Sequence, residues 1–323
     1  MTKPGSAAPL QRVLVALDGS DTSHGALLLA IELSRQYKSE LILCTVVDRD
    51  AVIVAAQSPD GPFMGFDNIV EHYETAARLL LTEAAARTSA AGAPTTTMLL
   101  DGRPAVAIAD YAKEAGVDAI VMGTHGKSGL ERMFLGSTAE GVLHLTTVPT
   151  FVVHQTGDAS FAPAALPTVP EFGRILVAVD DSDPSDAAIA FALDLAAATQ
   201  SRVLCCNAIE QGQFFDKAAR YGYNPGPLLA DLRGHASALI EEKTRAAKER
   251  GLTVISIIVE GNAPDAILKA AADNDADLIV VGTHGRRGLQ RLFIGSVAES
   301  IIRHSVLPVA VVRAVAVRSA QLY

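Results

Sequence analysis

The sequence predicts an α/β protein built from two similar domains in tandem, and three observations carry that expectation. The chain has 323 residues, and domains run to roughly 100–200 residues. It repeats itself: Arg12-Val-Leu-Val-Ala-Leu-Asp18 returns as Arg174-Ile-Leu-Val-Ala-Val-Asp180. A second, longer block, Gly123-Thr-His-Gly-Lys-Ser-Gly-Leu-Glu-Arg-Met-Phe-Leu-Gly-Ser137, returns as Gly282-Thr-His-Gly-Arg-Arg-Gly-Leu-Gln-Arg-Leu-Phe-Ile-Gly-Ser296. Within each copy, short apolar β-rich runs alternate with segments of helical period, the pattern of a parallel sheet with helices on both faces.

The elements follow in order. Val13 to Leu17 is a short apolar run suited to a strand buried on both faces. Asp18-Gly-Ser-Asp21 has turn and N-cap chemistry, and Ala26 to Tyr37 follows at helical period. Glu40 to Val47 is a second strand. Asp50 to Asn68 holds Pro59, Gly61, Pro62 and Gly65 and is expected to be a loop. Ile69 to Ala90 is a long helix, Thr95 to Leu100 a strand, Pro104 to Ala115 a helix and Ala119 to Met122 a strand. After the glycine block, Thr138 to Leu145 is helical and Thr150 to Val153 closes the copy. The second copy repeats this order, with Gly212 to Asp231 as its loop. The offset between copies is 162 residues at the first block and 159 at the second, so the second copy is three residues shorter in its middle. The expected domains are 10–155 and 174–314, joined by a linker at 156–173 that carries Pro163, Pro167 and Pro170.

Composition excludes several classes of function. With 49% apolar and 20% charged residues the chain is neither disordered nor fibrous. A net charge of −9 and few aromatics argue against nucleic acid as a partner. Cys44, Cys205 and Cys206 form no C-x-x-C pair, so neither a zinc cluster nor a disulfide framework is expected. Met1 to Arg12 lacks the apolar stretch of a signal peptide, and no apolar run approaches the roughly 18 residues of a membrane span. A cytoplasmic location without membrane contact is therefore expected.

The glycine blocks point to anion binding. Their spacing is Gly123-x2-Gly126-x9-Gly136-Ser137 and Gly282-x2-Gly285-x9-Gly295-Ser296. Gly123 and Gly282 end a strand, where a side chain would obstruct anything bound at the sheet edge. Gly126 and Gly285 permit close backbone approach. Gly136-Ser137 and Gly295-Ser296 open a helix whose N–H groups and dipole favour an anion. Lys127, Arg132, Arg286, Arg287 and Arg291 add positive charge nearby. The blocks match neither the Walker A pattern nor G-x-G-x-x-G.

On these two blocks and the order of strands around them, the chain resembles the universal stress protein family in its two-domain form, over all but the N-terminal dozen residues, the linker and the last ten or so. The G-x2-G-x9-G-Ser/Thr signature is that of the family's ATP-binding branch. The resemblance implies, in each domain, a five-stranded parallel sheet in the order 3-2-1-4-5 flanked by helices. It implies ATP, ADP or AMP as ligand, with Mg2+ in some members. Asp18 and Asp180 would sit at the adenosine. Val46 and Ala208 would meet adenine through their backbone groups, and Met122 and Val281 would line the base pocket. Gly123, Gly126, Gly136 and Ser137, with Gly282, Gly285, Gly295 and Ser296, would hold ribose and phosphates. Ala208 stands where a larger residue is usual, and the Asp180-Asp181 doublet adds a carboxylate, so the first copy is expected to bind more tightly.

Other readings stand beside these. Asp18 and Asp180 could be N-caps, although Ser20 or Asp21 could serve instead. His125 and His284 are expected to order their loops rather than act as bases. The three cysteines read as small hydrophobes. Phe63, Phe66, Phe214, Phe215, Tyr221 and Tyr223 belong to loops that could cover the nucleotide or simply pack. The expected function is a stress-response module that binds nucleotide and signals by occupancy to a protein partner. A slow ATPase and a chaperone-like module with vestigial sites are the alternatives. No catalytic residue and no metal ligand is expected. Apolar fifth strands imply a homo-oligomer, or a pseudo-dimer of the two halves.

Overall fold

The structure, a computed structural model, describes residues 9–56, 66–124, 135–154, 172–210, 224, 226–283 and 294–314. The chain forms two compact units. The first contains β1 (Arg12–Ala16), α1 (Asp21–Tyr37), β2 (Glu40–Val47), α2 (Arg49–Ala56), α3 (Phe66–Ala90), β3 (Thr95–Asp101), α4 (Pro104–Glu114), β4 (Ala119–Gly123), α5 (Ser137–Leu145) and β5 (Thr150–Val153). The second contains β6 (Arg174–Ala178), α6 (Asp183–Thr199), β7 (Arg202–Ile209), α7 (Gly226–Lys243), α8 (Arg245–Glu249), β8 (Val254–Glu260), α9 (Ala263–Asp273), β9 (Leu278–Gly282), α10 (Ser296–His304) and β10 (Val309–Val312).

The strands of the first unit lie in the order β3-β2-β1-β4-β5, and those of the second in the matching order β8-β7-β6-β9-β10. The pairs within each unit are parallel. Each unit is thus the five-stranded α/β sheet expected. The central strands are buried on both faces, Val13, Leu14 and Val15 in β1 and Ile175, Leu176 and Val177 in β6, which is why they read as unbroken apolar runs. One carboxylate braces the N-terminal edge of each sheet. Asp118 Oδ2 accepts from Gln11 N and Arg12 N, both at 2.8 Å. Asp277 Oδ2 accepts from Gly173 N at 3.0 Å and Arg174 N at 2.9 Å.

Two expectations need correction, one of them the loop expected at Gly212 to Asp231, which is helical from Gly226 onward. The segment from Asp50 was also expected to be a loop, but Arg49 to Ala56 is helical. Asp48 starts it, its Oδ1 accepting from Ala51 N at 2.9 Å. Arg49 then ties the helix down, reaching Glu74 on α3 at 2.5 Å and Asp101 at the end of β3 at 3.7 Å. The helix is short enough for the Pro and Gly residues beyond it to dominate the sequence pattern. Residues 57–65 and 211–223, where most of the loop aromatics fall, lie outside the described residues, and α3 begins at Phe66.

Candidate functional site

The order β3-β2-β1-β4-β5 reverses direction between β1 and β4, so the loops leaving these strands diverge and open a crevice at their C-terminal ends. A cleft of about 260 Å³ lies there in the first unit. It is lined by the end of β1 (Ala16, Leu17, Asp18), the end of β2 (Cys44 to Val46), the end of β4 (Met122 to Thr124), the start of α4 (Pro104, Ile108) and the start of α5 (Gly136 to Ala139). Asp18, Val46, Met122, Gly123, Gly136 and Ser137, separated by up to 119 residues in the chain, therefore share one cavity.

The backbone at the end of β2 is presented to the cleft by a difference in strand length. Leu17 N donates to Cys44 O at 2.8 Å, the last rung between β1 and β2. Peptide groups two residues apart on a strand face the same way, so those of Val46 turn to the same side as those of Cys44. β1 has ended at Ala16 and the chain departs through Gly19, at φ 76°. Val46 consequently offers a donor and an acceptor where β1 supplies no further strand. The second unit has the same final rung, Val179 N to Cys206 O at 2.8 Å, which places Ala208 in the equivalent position. There the side chain of Asn207 reaches across, its Nδ2 donating to Val179 O at 2.7 Å.

The start of α5 supplies the second polar wall. Gly136 N donates to Thr124 O at 2.7 Å, pinching the base of the glycine block shut. The first intrahelical bond runs from Glu140 N to Gly136 O at 2.9 Å, and no side chain caps this end. The N–H groups of Ser137, Thr138 and Ala139 therefore have no intrahelical acceptor, and these residues line the cleft. Gly295 N to Thr283 O and Glu299 N to Gly295 O repeat the arrangement in the second unit, with Ser296 opening α10. Gly136 spends its own N–H on Thr124, so the donors begin one residue later than the sequence suggested. Thr124, which follows the first glycine of the block, also lines the cleft, a placement that the sequence reading passed over although the residue stands in the quoted block.

Gly123 has a different reason to be glycine from the one the sequence suggested. A Cβ there would lie 2.4 Å from Thr22 Oγ1 and 2.8 Å from the Thr22 carbonyl carbon. At Gly282 it would lie 2.6 Å from the carbonyl carbon of Pro184. In each unit this glycine lets the first helix seat itself over the end of the fourth strand.

The N-cap alternative for Asp18 and Asp180 is removed by geometry. The N-cap of α1 is Ser20, whose hydroxyl accepts from Ser23 N at 3.2 Å. The N-cap of α6 is Ser182, accepting from Ser185 N at 3.3 Å. Asp18 Oδ1 accepts from Ser20 N at 3.0 Å and Ser20 Oγ at 2.6 Å, so it orients the cap and stands one step nearer the cleft. Asp180 Oδ1 holds Ser182 in the same way.

Met122 and Val281 are buried near the ends of their strands. Gly126, Gly285, His125, His284, Lys127, Arg132, Arg286, Arg287 and Arg291 lie outside the described residues. Cys44, Cys205 and Cys206 are buried, and burial pushes each thiol up to about 12. Among the described residues, no group of three or more His, Cys, Asp or Glu is placed to hold a metal ion, and no helix is long and apolar enough to cross a membrane.

The model of the Universal stress protein family matches residues 9–154 and again 171–313. The chain belongs to this family. Among its relatives, a universal stress protein of Mycolicibacterium smegmatis is 27% identical over 308 residues, covering 93% of this chain and 96% of its own. A universal stress protein of Bacillus subtilis is 34% identical over 150 residues, 44% of this chain and 97% of its own, so it matches a single domain. A crystal structure of a universal stress protein from Archaeoglobus fulgidus superposes with a TM-score of 0.66 at 25% identity, covering 94% of this chain and 96% of that one. A structure from Pseudomonas aeruginosa, at 18% identity and TM-score 0.56, shares the fold. Tandem duplication of the universal stress protein domain is thus common to this chain and full-length relatives.

Proposed function

We propose that this universal stress protein binds an adenine nucleotide at the switch-point cleft of its first domain, and a second at the equivalent place in the other. Binding then regulates what the protein presents to a partner. The observation that carries this reading is one cleft with two polar walls of opposite use. The start of α5 turns three uncommitted backbone N–H groups toward the place of an anion, helped by the helix dipole. Across the cleft, the main chain of Val46 offers one donor and one acceptor, the pair that a purine edge can match. Met122 supplies apolar contact for the base, and Asp18 stands at the end of β1 for a ribose hydroxyl. A magnesium ion accompanying the nucleotide would be carried chiefly by the phosphates.

The reading is of binding rather than turnover, in the cytoplasm, with self-association of the chain as part of it. The test is to denature freshly purified protein and identify released nucleotide by chromatography and mass, quantified per chain. Calorimetry with ATP, ADP and AMP follows. Two adenine nucleotides per chain are expected. Absence of nucleotide together with a flat isotherm overturns the reading in favour of a vestigial site. Phosphate release at the ordinary enzymatic rate of roughly 1–1,000 per second would make the protein an ATPase instead. Sedimentation velocity on the same sample gives the oligomeric state.

A further inference from the structure

The two domains are each other's control, and they differ beside the first loop in a concerted way. From the third residue after β1, the first domain reads Gly19-Ser-Asp-Thr-Ser-His24 and the second Asp181-Ser-Asp-Pro-Ser-Asp186. The second domain therefore carries two carboxylates that the first lacks, Asp181 and Asp186. Both lie within reach of one ammonium group: Lys243 Nζ is 2.5 Å from Asp186 Oδ1 and 3.9 Å from Asp181 Oδ1. Lys243 is the last residue of α7, and its side chain is only 16% exposed.

The position of Lys243 in the first domain can be counted from equivalent hydrogen bonds. Ala93 N to Thr88 O closes α3 at 2.9 Å, and Leu252 N to Ala247 O does the same at 3.0 Å in the second domain. Counting back four residues from Thr88 and from Ala247 aligns Lys243 with Ala84. Ala84 and His24 there flank a cavity of only about 10 Å³. Gly19, His24 and Ala84 of one domain thus correspond to Asp181, Asp186 and Lys243 of the other. A lysine with an alanine counterpart contacts both of the added carboxylates.

We propose that Lys243 is a positioning residue of the second nucleotide cleft: it gathers the two carboxylates that this domain has added beside its first loop and so keeps the cleft open to a polyphosphate. The inference rests on the nucleotide reading above. Asp181 follows Asp180, the counterpart of the cleft-lining Asp18, and consecutive Cα atoms are about 3.8 Å apart. A carboxylate at this place repels phosphates bound in the cleft, and the more so at low salt. Lys243 offsets one of the two added charges and so weakens that repulsion. The loop also gains rigidity, because Lys243 joins the segment before α6 to the first turn of α6 and to the end of α7.

The test uses the full chain, labelled with 8-azido-ATP or 8-azidoadenosine, with the labelled peptides assigned to each domain by mass. Lys243→Met keeps the buried stem and removes the charge. It is expected to raise the concentration of 8-azido-ATP needed to label the second domain by about tenfold at low salt, less at about 0.5 M salt. Uncharged 8-azidoadenosine is expected to change by less than about twofold, with the first domain unaffected by either probe. Adding Asp181→Asn and Asp186→Asn to Lys243→Met is expected to restore labelling by 8-azido-ATP. An equal loss with both probes makes Lys243 a purely structural residue and overturns the proposal. So does an unchanged response to 8-azido-ATP, or failure of the two Asn changes to rescue. Absence of labelling in the unmodified protein by either probe overturns the nucleotide reading itself.

Discussion

Thr22 and Gly123 meet so closely that a single methyl group between them would bring carbon to within 2.4 Å of the Thr22 hydroxyl. The second domain repeats the contact between Pro184 and Gly282, at 2.6 Å to backbone. Gly123→Ala and Gly282→Ala are therefore expected to cost about 1–3 kcal/mol of stability each, the range for overpacking. Gly282→Ala is expected to cost more, because the atoms it meets are chiefly backbone. Urea unfolding measures both, and a neutral result at Gly282 would remove the packing explanation.

Ser20 and Asp18 divide their work, which separates stability from binding. Ser20→Ala removes the cap bond to Ser23 and is expected to lower stability by about 1 kcal/mol. Asp18→Asn keeps an oxygen for Ser20, so stability should hold within about 0.5 kcal/mol while nucleotide affinity at the first domain changes. A stability loss at Asp18→Asn as large as that at Ser20→Ala would return Asp18 to a capping role.

Gly141 sets the distance between two walls of the cleft. A Cβ on it would lie 2.6 Å from the Cβ of Ala105, and α4 and α5, which carry these residues, both line the cavity. The second domain has Ser300 at the corresponding place. Gly141→Ser is expected to push α5 off α4, cost about 1–3 kcal/mol and weaken nucleotide binding in the first domain alone. Domain-resolved photolabelling shows whether the loss is confined in this way.

The buried thiols give a pH dependence whose sign is fixed. Each is pushed up to about 12 in the folded chain, against about 8.5 when exposed. The unfolded chain therefore releases protons that the folded chain retains between these values. The stabilisation is complete below about 8.5 and is lost as pH rises toward 12. Urea midpoints are expected to fall between pH 8 and pH 10.5, and Cys44→Ala should show a shallower fall. A thiol reagent at pH 8 should find no reactive cysteine until urea is added.

Much of this was legible in the chain, for identifiable reasons. Doubly buried strands such as Val13 to Val15 announce themselves as apolar runs, and duplication let each domain check the other. The first glycine of each block left a sequence trace because a Cβ there would collide with the first helix, at Thr22 in one domain and Pro184 in the other. The reason for Gly123 was not legible, since its neighbour Thr22 is a hundred residues away and nothing local marks their approach. The helix from Arg49 was masked by the turn residues beyond it. The brace at Asp118 was hidden because a lone aspartate before a strand looks like any turn residue. The Lys243 cluster escaped notice because its members lie on two helices and a loop, and the Asp180-Asp181 doublet was visible only as added negative charge.

The presentation of Val46 by unequal strand lengths has an evolutionary consequence. A ligand edge read by main-chain atoms places no demand on the side chain that carries them, so Ala208 can replace the valine without erasing the donor and acceptor. Scanning mutagenesis at these two positions should therefore find broad tolerance, with only proline, which lacks the N–H, excluded. Duplicated domains built this way can drift far apart in sequence and still share a binding function, because the information lies in where the strand stops.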